Sequence, residues 1–179
     1  MKVLEIGAGG LPKAQIIPGW EEAEIETLDM DKQWKPTYLC DAFDIPEELA
    51  GQYDGVLASH VLEHFGWWET EDILVSWAKL LKPEGELHIV VPSLEWAGRA
   101  ILSESIPLCL MPHLFGGHDT EWNGHKSMFH MRTLRYQMEL AGLHVERART
   151  GAYKISVYDG EGKKHIMPAE EHYVMGRKK

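Results

Sequence analysis

Cysteine is nearly absent, with Cys40 and Cys109 the only two thiols in 179 residues. Two cysteines cannot build a disulfide framework, so a reducing compartment, the cytoplasm, is expected. Long hydrophobic runs are missing as well. The apolar stretch from Ala100 to Phe115 is broken by Glu104, Pro107, Pro112 and His113, and is too short to span a bilayer. No secretory signal is visible ahead of the first strand pattern, which begins almost at Met1. Positive charge is scarce: 18 Lys and Arg stand against 28 Asp and Glu, a formal net charge of −10. A phosphate backbone is held by clustered Lys and Arg, so broad nucleic-acid contact is disfavoured. The basic end Arg177-Lys178-Lys179 reads as a solvated terminus. Repeats, low-complexity tracts and linkers are also lacking, and the chain is expected to form one domain over residues 1–179.

What is present begins with residues 1–10. Val3, Leu4 and Ile6 make a short apolar run around one acid, Glu5, and the run empties into Gly7, Gly9 and Gly10. Such a turn lets backbone N–H groups approach a ligand that side chains would keep away. The next apolar segment, Ile25-Glu-Thr-Leu28, ends in Asp29, close to the ~20-residue offset at which an acid grips a ribose diol in nucleotide-binding βαβ units. Further strands are expected at 37–40, ending at Asp41, at 56–59 and at 86–91, with a brief helix over 46–52. Thr70 is placed as the cap of a helix whose Ile73, Leu74, Trp77, Leu80 and Leu81 share one face. Strands separated by helices imply a parallel α/β sheet with helices on both faces. Ligands bind beyond the carboxyl ends of such strands, where Gly7, Asp29, Asp41 and Ser59 fall.

The second half changes character. Residues 93–128 are rich in Gly, His, Pro and Trp and lack clean periodicity, which marks a functional lid, expected to cover the substrate. A helix over 131–141 closes at Gly142, and 143–149 and 172–177 read as two last strands. Between them, 153–158 and 164–167 read as a separate hairpin around Asp159-Gly160.

These segments together resemble a known family. Val3-Leu-Glu-Ile-Gly-Ala-Gly9 looks like motif I of the class I S-adenosylmethionine-dependent methyltransferases, and Thr27-Leu-Asp-Met-Asp31 like their second motif. Cys40-Asp-Ala-Phe-Asp-Ile-Pro46 is similar to the segment that meets adenine. Tyr53-Asp-Gly-Val-Leu-Ala-Ser-His-Val-Leu-Glu-His64 resembles the fourth strand and Leu81-Lys-Pro-Glu-Gly-Glu-Leu87 the fifth. Order and spacing agree over residues 1–92. A Gly116-Gly117…His125-Lys126 segment extends the likeness, to small bacterial and phage members of the type 11 group, as far as about residue 143.

The resemblance implies a Rossmann-like, mostly parallel sheet with an antiparallel final strand, and S-adenosylmethionine as cofactor. Gly7 and Gly9 would pass beneath its methionine end. Glu5 would brace that loop or receive the amino group. Asp29, followed by Met30, would hold the ribose hydroxyls, Asp31 being the neighbouring alternative. Asp41 would take the adenine amino group and the Ala42 N–H a ring nitrogen, with Ser59 and His60 beside the sulfonium. Two departures stand out. Pro12 and Pro18 bracket too few residues for a full first helix, and no helix precedes the first strand.

Methyl transfer needs alignment and exclusion of water, and a base only where the acceptor must lose a proton. Histidine suits that task near neutral pH. The candidates are His60, His118 and His125, with His113 and Asp119 beside them; His64 is read as a packing residue. Trp96, Phe115 and Trp122 would wall an acceptor pocket. His113, His118, Asp119 and His125 are too loosely spaced for a zinc signature and no cysteine pair joins them, so no metal is expected. The leading function is methyl transfer to a small-molecule or sugar/nucleotide-type acceptor. A non-catalytic S-adenosylmethionine-binding regulatory or assembly module is the alternative. A nicotinamide oxidoreductase ranks last, because Pro12 stands where its fingerprint has a third glycine. Membrane and nucleic acid are not expected as partners, and a homodimer is left open.

Overall fold

A computed structural model describes residues 1–10, 13–103, 107–118, 120–158 and 163–179, with 157 and 158 described by backbone alone. Among these residues seven strands form one sheet: β1 (Lys2–Ile6), β2 (Glu24–Asp29), β3 (Tyr38–Leu39), β4 (Tyr53–Ser59), β5 (Leu81–Pro92), β6 (Leu143–Tyr158) and β7 (Lys164–Lys178). Their order is β3-β2-β1-β4-β5-β7-β6. β3, β2, β1, β4 and β5 run parallel, and β7 lies antiparallel between β5 and β6. The helices are α1 (Thr70–Leu80), α2 (Leu94–Ile101), α3 (Leu110–Phe115) and α4 (Met131–Leu140). Among the described residues, no helix is long and apolar enough to cross a membrane.

The sheet is apolar on both sides, as a parallel sheet must be. On one face Leu4, Ile6, Leu28, Val56, Ala58, Leu87 and Ile89 meet Ile73, Leu74 and Trp77 of α1 and Leu134 and Met138 of α4. Ile73, Leu74 and Trp77 are fully buried, at roughly 1.5–3 kcal/mol for a large apolar side chain taken out of water. The opposite face is smaller: Val3 and Leu57 meet Ala14, Ile17 and Trp20. The covering element there is a single 3-10 turn, Ala14–Ile16, in agreement with the short span between Pro12 and Pro18. Gly55 in β4 makes the fit possible, since a Cβ there would collide with the Trp20 ring.

Register decides where the loops emerge. Ile6 lies opposite both Leu28 and Ala58, so β1, β2 and β4 end at one level. Gly7, Asp29, Ser59 and His60 therefore leave the sheet side by side.

Several sequence expectations need correction. The helix at 46–52 is only the 3-10 turn Glu47–Leu49. Thr70 is the first residue of α1 and fully inside it; Glu69 occupies the cap position and accepts the Ile73 N–H at 3.0 Å. The lid is not wholly irregular, because α2 and α3 lie within it. The separate hairpin does not exist: Thr150, Gly151 and Ala152 pair with His172, Glu171 and Glu170, so β6 and β7 run unbroken through the segment. The Asp159-Gly160 turn and Pro12 fall outside the described residues.

Candidate active site

The first loop is held by two carboxylates. Glu5 is buried, and its oxygens accept the backbone N–H groups of Lys13, at 2.8 and 2.7 Å, and Ala14, at 2.7 Å. Burial pushes its pKa up, against those N–H groups, which pull it down. Glu5 thus anchors the loop and lines neither cavity described below. Asp29 accepts from the Gly9 N–H at 3.0 Å and the Asp31 N–H at 2.9 Å. Gly7 has φ +63° and donates to the Leu28 carbonyl at 2.7 Å; a Cβ there would meet Val61. Its backbone is consequently the floor of the loop.

These pieces surround a cavity of about 530 Å³, lined by Gly7, Asp29, Met30, Trp34, Asp41 and Ala42 on the sheet side. Residues 120–123 and Lys126 close it from the lid. The Asp41 loop is fixed from below. Asp41 accepts the Phe43 N–H at 2.8 Å, and the buried Trp77 indole donates to the Ala42 carbonyl at 2.7 Å. An acid at the end of each of two adjacent strands, above a glycine floor, suits a ligand with a diol and an amino-bearing ring.

A second cavity, about 580 Å³, adjoins the first. Ser59, Lys13, Ile17, Pro112, Tyr153 and Glu171 are among its walls. His60, His64 and Asn123 line both cavities, so the two meet there. His60 sits in the left-handed region at φ +58°, a conformation that costs a non-glycine residue energy and is held here by its N–H bond to Val90 O at 2.9 Å. Its Nδ1 lies 3.2 Å from Glu63 Oε1 and its Nε2 3.1 Å from Glu171 Oε2. Burial lowers its pKa, but Glu171 and Glu63 outweigh that and raise it to about 9. The protonated ring is therefore hydrogen-bonded to Glu171 and ion-paired with Glu63, which removes His60 as a proton acceptor.

The other histidines separate cleanly. His125 lines the second cavity, and its Nδ1 donates to the His113 carbonyl at 3.1 Å. His113 is buried: its Nε2 donates to Ser93 O at 2.9 Å, so its Nδ1 accepts from the Tyr153 hydroxyl, also at 2.9 Å. His118 is exposed, lines neither cavity and stacks over Gly124, which withdraws it from the candidate bases. Asp119 lies outside the described residues. Trp122 lines the first cavity rather than the second, and Trp96 and Phe115 line neither.

Gly7, Asp29, Met30, Asp41, Ala42 and His60 are thus brought to one cavity, and Ser59, His60 and His125 to the other, while Gly9 supplies only a backbone donor to Asp29. Sequence reasoning missed Lys13, Tyr153, Glu171 and Asn123, which carry no local motif. It also assigned His64 to packing, although His64 stands where the cavities join. The sequence signal for that position is the spacing His60-Val-Leu-Glu63-His64, which places Glu63 and His64 in the 3-10 turn Leu62–His64 just after His60.

Comparisons with known proteins converge. The model of the methyltransferase domain family matches residues 1–148. No curated protein matches the chain in sequence. By fold it is similar to a SAM-dependent methyltransferase from Methanosarcina mazei, with 14% identity, a TM-score of 0.64, and 99% of this chain and 92% of that one covered. It is similar to the 1,6-didemethyltoxoflavin-N1-methyltransferase of Burkholderia thailandensis, whose structure holds 1,6-didemethyltoxoflavin and S-adenosylhomocysteine. There the identity is 14% and the TM-score 0.57, over 99% of this chain and 70% of that one. A 16S rRNA (adenine(1408)-N(1))-methyltransferase from Catenulisporales acidiphilia is similar at 15% identity and a TM-score of 0.59, over 99% and 87% of the two chains.

Proposed function

We propose that this chain, which belongs to the methyltransferase domain family and is an S-adenosylmethionine-dependent methyltransferase, transfers the methyl group to a small acceptor held in the cavity beneath Ser59 and His60. The observation that carries the reading is the pair of adjoining cavities. The first, about 530 Å³, carries Asp29 and Asp41 above the Gly7 floor. The second, about 580 Å³, is of a size that encloses a small molecule. The net charge of −10 supports a small acceptor over bulk nucleic acid.

The residues present fit the cofactor. Asp29 and the apolar faces of Met30 and Trp34 would hold its ribose, Asp41 and the Ala42 N–H its adenine, and the Gly7 loop its methionine end. S-adenosylmethionine supplies a methyl group already activated on a sulfonium, so the protein's share is alignment. Ser59, with Lys13 Nζ 3.3 Å from its hydroxyl, and Asn123 orient the acceptor at the junction. The lid excludes water from both sides: residues 120–123 and Lys126 border the cofactor cavity, and Pro112, Gly116, Gly117 and His125 the acceptor cavity.

The test is methyl transfer from labelled S-adenosylmethionine to a panel of small hydroxy, amino and thiol compounds, with transfer RNA and ribosomal RNA in parallel. Label in a small compound alone bears the reading out. Label in RNA alone, with the small panel blank, overturns it.

A further inference from the structure

We propose that Glu63, His64 and His125 form a binding site for one divalent transition-metal ion where the two cavities meet. One carboxylate oxygen and one ring nitrogen from each histidine all lie within 4.8 Å of one another. The two imidazoles stand edge to face, 5.1 Å apart.

The carboxylate is the first argument. Glu63 is completely buried, and among the described residues neither of its oxygens has a hydrogen-bond partner. His60 Nδ1 lies 3.2 Å from Oε1, near enough to share charge but not aligned to donate. A buried carboxylate normally fills its lone pairs, because leaving them bare costs several kcal/mol. A cation at this place would fill them.

The histidines are the second. A backbone carbonyl only accepts, so His64 Nδ1, 3.2 Å from Gly124 O, carries its ring proton, as does His125 Nδ1 at 3.1 Å from His113 O. Among the described residues no hydrogen bond engages either Nε2, whose lone pair is left for a ligand. Metal-binding histidines are oriented in this way, with the far nitrogen donating to a carbonyl or carboxylate. The lid is moreover stitched to the acid: the Lys126 and Ser127 N–H groups donate to the Glu63 carbonyl at 2.8 and 3.1 Å, which fixes His125 beside it.

Two imidazoles and one carboxylate suit Zn²⁺ or a neighbouring transition ion and leave a coordination position open; hard ions such as Mg²⁺ prefer all-oxygen sets. His64 borders both cavities and His125 the second, so the open position faces the acceptor. This assigns the acceptor class, a step that rests on the reading proposed above. A hydroxyl or thiol that takes the open position loses its proton to water more readily and is held as the oxygen or sulfur anion beside the cofactor cavity.

The experiment is equilibrium dialysis of the full chain, stripped with EDTA, against micromolar Zn²⁺, with the visible spectrum of a Co²⁺-loaded sample beside it. We expect one ion per chain, Co²⁺ ligand-field bands, and a loss of affinity of 10-fold or more in Glu63→Gln and His125→Ala. His118→Ala, outside the set, should bind as the wild type does. No binding by the wild type, or equal binding by all four proteins, overturns the site; His60 alone then balances the Glu63 charge. If the variants fail to fold, the wild-type stoichiometry and Co²⁺ bands decide. An S-adenosylhomocysteine thermal shift is read in parallel: a shift without bound metal overturns only the metal site, and bound metal without a shift overturns only the methyl-transfer reading.

Discussion

Asp29 accepts the N–H groups of Gly9 and Asp31 before any ligand arrives. Each oxygen keeps a lone pair for a ribose hydroxyl, so one side chain both shapes the loop and would bind the cofactor. Asp29→Ala is expected to weaken S-adenosylhomocysteine about 10–100-fold, on the order of 1.5–3 kcal/mol for bonds to a charged group. Because two backbone donors lose their acceptor, it should also lower stability by about 1–2 kcal/mol. Calorimetric titration and urea unfolding separate the two effects, and an unchanged affinity would remove Asp29 from the site. The acid and the glycines were legible in the sequence because each follows an apolar strand. Glu5 was legible only as an ambiguity, and Lys13 N–H and Ala14 N–H resolve it toward bracing. Glu26 gives a residue-scale pH prediction. Burial raises its pKa, but hydrogen bonds from Tyr53, Lys2 and Tyr38 outweigh burial and hold it below its ordinary 4.5. A depressed carboxyl stabilises the fold above its unfolded value and loses that contribution as pH falls through the folded one. Wild-type stability should therefore drop below about pH 4.5 more steeply than that of Glu26→Gln, as urea midpoints across an acid series would reveal.

Elements explain what the sequence left unread. A continuous β6–β7 ribbon cannot be told from two hairpins when Gly151 interrupts the pattern, since the pairing of Gly151 with Glu171 lies 20 residues away. The lid hides its helices for a similar reason. α2 depends on Glu95, whose carboxylate receives the Met131 N–H at 2.9 Å and pairs with the buried His172. One side chain thereby ties the lid to the start of α4 and to β7. Glu95→Ala should cost about 2 kcal/mol, because it takes the partner from the buried His172 Nε2 while Nδ1 keeps the Thr150 hydroxyl, and lower the melting temperature by roughly 4–8 °C. A calorimetric scan checks it. The lid also serves both cavities, which the expectation of a purely substrate-facing segment did not foresee. Trp122→Ala should raise the dissociation constant for S-adenosylhomocysteine several-fold; a change in turnover with binding untouched would return Trp122 to the acceptor side.

Across the whole molecule, the order β3-β2-β1-β4-β5-β7-β6 places every candidate cofactor group at one end of the sheet. That arrangement was readable because strand ends are local features and sheet topology follows from their alternation with helices. The junction was not readable, because His60, Glu63, His125, Tyr153 and Glu171 come from segments up to 111 residues apart and meet only through β7 and the lid. With a single 3-10 turn over the second face of the sheet, the glycine loop gains little from a helix dipole, and the two acids must carry more of the binding. The most direct measurement is a thermal-shift titration with S-adenosylhomocysteine, with NAD as the control. Saturation at about 100 times Kd should add ~2.7 kcal/mol, a rise of roughly 5–10 °C, with no response to NAD. A rise with NAD alone, or none with S-adenosylhomocysteine, would contradict the cofactor cavity described between Gly7, Asp29 and Asp41.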